Sequence, residues 1–338
     1  MPTCRADESI ARVEIEGFAF PLGVYPVEPM EPRVGYTVDF EPADGDDEGD
    51  WEEWPDRYVY DIVVPANRVE ALWRQLLRLV PARVYPILDY MGHDAFREID
   101  PYISYELVGI ERVIDAVRRY HDFFFEEGMV GFGIACDDPF VYLFVDEHKI
   151  VTVRVTSDQR DGVEALLEAF GVPQVEEPAG ADAAAHEHRA VLLAPPDAPN
   201  LLSGEEVVER VRDDWRLVLN VDPEANVDDD GNDLGVTGWR CLVRVATESH
   251  PGDRYAEVVL TAGCLLDAED ASTGAAMALV EEDPGDWVDA LVVVADRLTE
   301  GDLAQLVDKS VADKVLADVS GSDAEPTDAQ VLATRWLS

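Results

Sequence analysis

Between residues 58 and 172 the period of the apolar positions changes repeatedly, and each change predicts a new element. Residues 58–64 alternate as a strand does. Val69, Leu72, Trp73, Leu76 and Val80 then recur at the i, i+3, i+4, i+7 spacing of one buried helix face, with Asn67 as the expected N-cap and Pro81 as the stop. Residues 83–88 read as a second strand. Ile110, Val113, Ile114, Val117, His121 and Phe124 trace another helical stripe, which ends near Gly128. From 130 to 156 the period falls to two. The runs VGFGIAC, FVYLFVD and KIVTVRVT are separated by Asp137-Asp138-Pro139 and by a turn near Glu147-His148, and they predict an antiparallel meander. A helix carrying Val163, Leu166, Leu167 and Phe170 follows, closed by Gly171 and Pro173.

Residues 173–188, PQVEEPAGADAAAHEH, show no apolar period and are rich in Pro, Ala and Glu, which predicts a linker. Beyond it AVLLAP reads as a strand, and Ser203 with Glu206 three residues later forms a capping box for a helix bearing Val207, Val208 and Val211. Strands are expected over 215–221, 239–246, 255–261 and 290–295, and an alanine-rich helix near 269–281. Thr299 caps a last helix with Leu303, Leu306, Val307 and Val311 on one face, and 320–338 reads as a loose C-terminal segment. The expected fold is α+β in two domains, 1–172 and 189–319, each a mainly antiparallel sheet with helices packed on one face, the first loosely ferredoxin-like.

Residues 41–56 hold nine acidic side chains and no basic one, so they read as a solvated loop, with Trp51 and Trp54 expected to fold back onto the domain. Acid dominates the whole chain: 72 Asp and Glu face 26 Lys and Arg, a net charge of -46, and the only lysines are Lys149, Lys309 and Lys314. Such a field repels phosphates and anionic lipid, which argues against direct nucleic-acid or membrane binding and leaves cations and basic proteins as partners. Because the acid is spread through both halves, a carboxylate surface suited to high salt is the first reading; a surface shaped for a basic, even DNA-binding, partner is the second. Cys4, Cys136, Cys241 and Cys264 lie far apart, and no apolar run approaches membrane-spanning length, so a reduced, cytoplasmic protein is expected.

Three places carry candidate chemistry. In the loop 222–237, DPEANVDDDGNDLGVT, the alternating Asn226, Asp228, Asp230 and Asn232 with Gly231 follow the start of a calcium loop. Thr237 then stands where the bidentate glutamate belongs, so at most a weak calcium site is expected, and an acidic hairpin loop using Asx and Gly residues for turns is the plainer reading. The segment 85–106 gathers His93 and Asp94 for acid–base chemistry, with Arg97 to orient an anionic substrate and Tyr102 nearby. His186 and His188 place two rings on one side of an extended strand. No further ligand is evident nearby, so they read as part of a solvated linker, while His121 and His148 are assigned to a helix and a turn. Gly128, Gly131 and Gly133 make no phosphate loop, and Cys136, in an apolar strand beside Asp137, is no nucleophile. No cofactor is indicated beyond that calcium ion. The leading function is a non-catalytic binding protein that presents a sheet face or the 85–106 segment to a protein or small ligand; the alternative is an enzyme with an interdomain cleft.

Overall fold

The computed structural model describes residues 2–43, 54–195, 197–198, 200–228, 231–248, 250, 252–280, 288–307 and 329–337. The fold is mixed α+β, and the chain divides into two compact units: Met1–Met91 with Pro101–Asn220, and Gly92–Asp100 with Val221–Ser338.

The first unit is built on a nine-stranded sheet. Its central path runs Arg83–Met91, Val130–Asp137, Phe140–Val145, Val151–Val155, Arg57–Val63, Gly35–Glu41, each antiparallel to the next. The expected meander therefore sits in the middle of the sheet. This all-antiparallel order differs from the split β-α-β halves of a ferredoxin-like sheet. On one face Val84, Leu88, Phe132, Ile134, Leu143, Val145 and Val153 meet the apolar stripes of helices Ala66–Leu76, Ile110–Arg119, His121–Glu126, Arg160–Phe170 and Gly204–Trp215 in a single core. Trp73, Trp215, Phe124 and Phe132 are among its fully buried rings.

Local signals hold unevenly. The first helix starts after Pro65, not at Asn67, and tightens into a 3-10 turn over Leu77–Leu79 before Pro81. The stripe from Ile110 to Phe124 breaks at Tyr120 into two helices. The Arg160–Phe170 helix ends in the left-handed Gly171 as expected, and the Ser203–Glu206 capping box forms. Residues 173–191, read above as a linker opening onto a strand, lie within the first unit as a belt. Backbone hydrogen bonds join Arg33 to Ala179 and Tyr36 to Pro173 and Val175, and the strand His186–His188 pairs with Val24–Pro26. This belt and the N-terminal segment cover part of the other sheet face, where Phe18, Phe20, Val24, Val63 and Ala181 form a smaller core.

The second unit is a four-stranded antiparallel sheet in the order Val288–Leu298, Thr237–Thr247, Arg254–Ala262, Gln330–Trp336. Its helices do not share one face. Ser272 of helix Leu265–Ala278 bonds the Cys241 thiol, whereas Leu303 of helix Glu300–Leu306 packs on Gly238, and positions three apart on one strand point to opposite sides. Residues Ser320 to Asp328 and Val311, Trp51 and Asp230 lie outside the described residues. Among the described residues no helix is long and apolar enough to cross a membrane.

Candidate functional site

The open part of the first sheet's second face begins with a run of small residues. On strand Val130–Asp137 the positions facing away from the core are Gly131, Gly133, Ala135 and Asp137, the alternate set to Phe132 and Ile134. The Phe144 ring lies flat across the first two: a Cβ on Gly131 would come within 2.8 Å of it, and one on Gly133 within 2.6 Å. Ala135 lies between Tyr85 and Tyr142 on the neighbouring strands, and a cavity of about 710 Å³ opens there, a volume in the range of small-molecule sites.

Its walls come from the two ends of the 85–106 segment, though not from His93, Asp94, Arg97 or Tyr102, and from the acidic loop's exit. Tyr85 and Ile87 rise on one side, Ile103 and the exposed Tyr105 beyond them, and Trp54, Phe140 and Tyr142 on the other. Trp54 does fold back: its ring meets Phe140 at 5.7 Å and Tyr142 at 5.4 Å. Tyr105 donates its hydroxyl hydrogen to Asn220 Oδ1 at 2.6 Å, which braces that edge. At the rim burial and the carboxylate of Asp137 raise the Tyr85 phenol above its usual pKa. Cys136 also lines the cavity, but burial pushes its thiol up to about 11, so it stays protonated and unreactive at neutral pH.

Arg154 is the one cation among the described residues of this cavity, and its partners are rings. The guanidinium lies 4.9 Å from the Trp54 ring and 5.2 Å from that of Tyr142. Its Nε is buried, and among the described residues it meets no hydrogen-bond acceptor. A buried donor without an acceptor costs stability, and the contacts of the guanidinium with the two rings offset part of that cost.

The other sequence-predicted residues are placed differently. Asp94 is buried and spent on Arg297: Oδ2 accepts from the Arg297 backbone N at 3.0 Å, and Oδ1 from the guanidinium Nε at 3.0 Å and from Phe96 N at 2.8 Å. That carboxylate anchors a strand and a loop of the second unit, and it is not free to orient the exposed His93 as a base. Arg97 Nε bonds Asp100 Oδ1 at 2.6 Å, and Tyr102 is a buried ring of the first unit with Arg212 4.7 Å above it. In the loop 222–237, Asn226 Nδ2 donates to Gly235 O and its Oδ1 accepts from Arg297 Nη1, which also donates to Val227 O. Asp228 accepts from the backbone and side-chain amides of Asn232. The described oxygens of the calcium-like loop thus serve turns and an arginine.

Among the described residues two groups stand close enough to hold a metal ion: His148 with His186 and His188, and His148 with Asp146 and Glu147. The sequence showed the H-x-H half and missed His148, which lies 38 residues earlier. Comparison of the chain with protein-family models, with curated proteins and with solved structures gives no match.

Proposed function

We propose that this is a two-domain, cytoplasmic, non-catalytic binding protein whose cavity over Ala135 takes a small aromatic carboxylate. The reading rests on one observation: Arg154, held against the rings of Trp54 and Tyr142, is the one cation among the described residues lining a cavity with a small-residue floor, and its buried Nε meets no acceptor among them. Phe144 packed against Gly131 and Gly133 supplies the template for the ligand's ring, and Ala135, the next position on the same face of the strand, lines the cavity between Tyr85 and Tyr142. The carboxylate would form a paired hydrogen bond with the guanidinium, worth more in this partly dry wall than at an open surface. Four free cysteines accord with a reducing compartment, and the high acidity with a surface suited to salt.

Calorimetric titration with benzoate- and indole-type carboxylates, and with their amides as uncharged matches, tests this. The acids should bind and the amides bind at least tenfold more weakly; Arg154→Gln should erase the difference, and Ala135→Leu should block both. Equal binding of acid and amide, or none of either, would sink the proposal.

A further inference from the structure

A second site stands on the same unit, away from that cavity. His148 sits in the tight turn 146–150. Ile150 N donates to Asp146 Oδ1 at 2.7 Å, Lys149 takes a φ of +65°, and Lys149 Nζ reaches Val130 O at 2.6 Å, so the turn is pinned at both ends. His186 and His188 stand on the strand paired with Val24–Pro26, two residues apart and hence on one side of it; Glu187, on the other side, accepts from the Tyr25 hydroxyl. The three rings surround one point. Their centroids are 4.7, 4.9 and 5.1 Å apart, each pair edge to face, and one nitrogen from each lies within 4.8 Å of the others.

The outer nitrogens fix which atoms converge. His186 Nδ1 lies 2.8 Å from Ala184 O, and His188 Nδ1 2.7 Å from Gly128 O. A carbonyl oxygen only accepts, so both rings carry their hydrogen on Nδ1 and keep a lone pair on Nε2. His148 turns Nδ1 toward the carboxylates of Asp146 and Glu147, at 3.5 and 3.3 Å. Its Nε2 then faces His186 Nε2 at 3.0 Å. Two lone pairs at that distance repel unless an electropositive centre lies between them. A proton can bridge two nitrogens; three convergent imidazoles call for a metal ion. The spacing agrees: bonds of about 2.05 Å in a tetrahedron put nitrogens about 3.3 Å apart and ring centres about 5 Å apart. Each ligand is already held through its other nitrogen by a carbonyl or carboxylate, the outer arrangement that orients imidazoles on zinc.

The scaffold behind it is equally specific. Gly128 N donates to the buried Glu127 carboxylate, whose second oxygen takes Val191 N, which fixes the peptide that bonds His188. Gly128 also packs directly on Gly23, where a Cβ would fall 2.1 Å from the Gly23 carbonyl oxygen. Asp146, Glu147 and Asp182 supply negative charge around a dication without being needed as ligands.

We infer that His148, His186 and His188 bind one zinc-class divalent ion through their Nε2 atoms, with the fourth position left to a water or other exogenous donor, since among the described residues no fourth Asp, Glu, His or Cys joins the three. Imidazole nitrogen favours zinc and its first-row neighbours over calcium and magnesium.

The test uses the full chain stripped of metal. Zinc titrated in competition with a chromophoric chelator should bind at one ion per chain, and magnesium should not compete. Cobalt should give the intense visible absorption of a tetrahedral site, and zinc-edge X-ray absorption should show three imidazole nitrogens and one further light atom at about 2 Å. His148→Ala and His186→Ala should each weaken zinc more than 100-fold, whereas Glu187→Gln, on the far side of the strand, should not. The absorption measurements need no variant, so a substitution that fails to fold leaves the inference testable. Absence of zinc binding, or a zinc site that survives both histidine substitutions, overturns it, and a proton shared between His148 and His186 would then account for their approach.

Discussion

The loop 222–237 and the histidine cluster both collect metal-ligand residues, and they differ in where the donor atoms are spent. In the loop the side-chain oxygens of Asp228 accept from the amides of Asn232 and that of Asn226 accepts from Arg297, so part of the positive charge that such oxygens attract is already covalently part of the chain. In the cluster every backbone and carboxylate bond goes to the outer nitrogen, and the inner nitrogens face one another. Spacing along the chain favoured the loop; the direction of lone pairs favours the cluster. What makes a metal site is donor capacity left over after the fold has taken its share.

The strongest way to break this contrast is to remove the loop's own cation. Arg297→Gln leaves the buried Asp94 carboxylate with only the more distant Arg97, at 3.6 Å, as a charge partner and should cost about 3 kcal/mol, read by denaturant unfolding. Millimolar calcium should not restore the loss; a recovery would show that the loop is a cation site after all. Next is the cluster itself. Zinc at 1,000 times its dissociation constant should stabilise the wild type by about 4 kcal/mol, and His188→Ala should abolish that gain while Asp228→Ala leaves it intact.

A smaller effect separates two neighbouring carboxylates of the second unit. Asp94 has Arg297, but Asp296 is only 3% exposed, and its Oδ2 has no hydrogen-bond partner among the described residues. Burial first, then the charge of Asp100, raises its pKa from 3.8 to about 6. A carboxyl raised in the folded state is more protonated there than in the unfolded chain, so stability falls as pH climbs from about 4 to about 6 and stays lower above that. Asp296→Asn should therefore raise the unfolding midpoint at pH 7.5, by roughly 3 kcal/mol at most, and change little at pH 4. A variant as pH-sensitive as the wild type would contradict this. The smallest effect on zinc is expected for Gly128→Ala, whose Cβ must displace the Gly23 carbonyl and so also costs folding stability; it shifts the carbonyl behind His188 and should weaken zinc about 10- to 100-fold, and unchanged affinity in the folded variant would show that this carbonyl does not orient the ring.

Much of the first unit was legible because its signals are local. The meander from Val130 to Val155 needs only alternation and turns, and the Ser203 capping box is written within four residues. Residues 173–191 were not legible for the converse reason. Their order comes from backbone bonds to Arg33, Tyr36 and Val24–Pro26, which leave no apolar period in a Pro- and Ala-rich stretch. The candidate site divides in the same way. Trp54 stood out as an aromatic in acidic surroundings, yet nothing local marks Arg154, whose role follows from its contacts with Trp54 and Tyr142. His148 read as a turn residue, and only the belt that folds over that turn makes it a third ligand.

The pairing of Asp94 with Arg297 also sets a timetable. The two residues are 203 positions apart. At a synthesis rate of about 5–20 residues per second, the Asp94 segment waits on the order of 10–40 s after translation before its partner exists. By the end of that interval every strand of the first unit's sheet has been synthesised, the last being Val218–Leu219. The second unit therefore takes its buried carboxylate from far upstream of the arginine that pairs with it. Any truncation that spares the first unit but ends before residue 297 strands this segment in its nascent form for good.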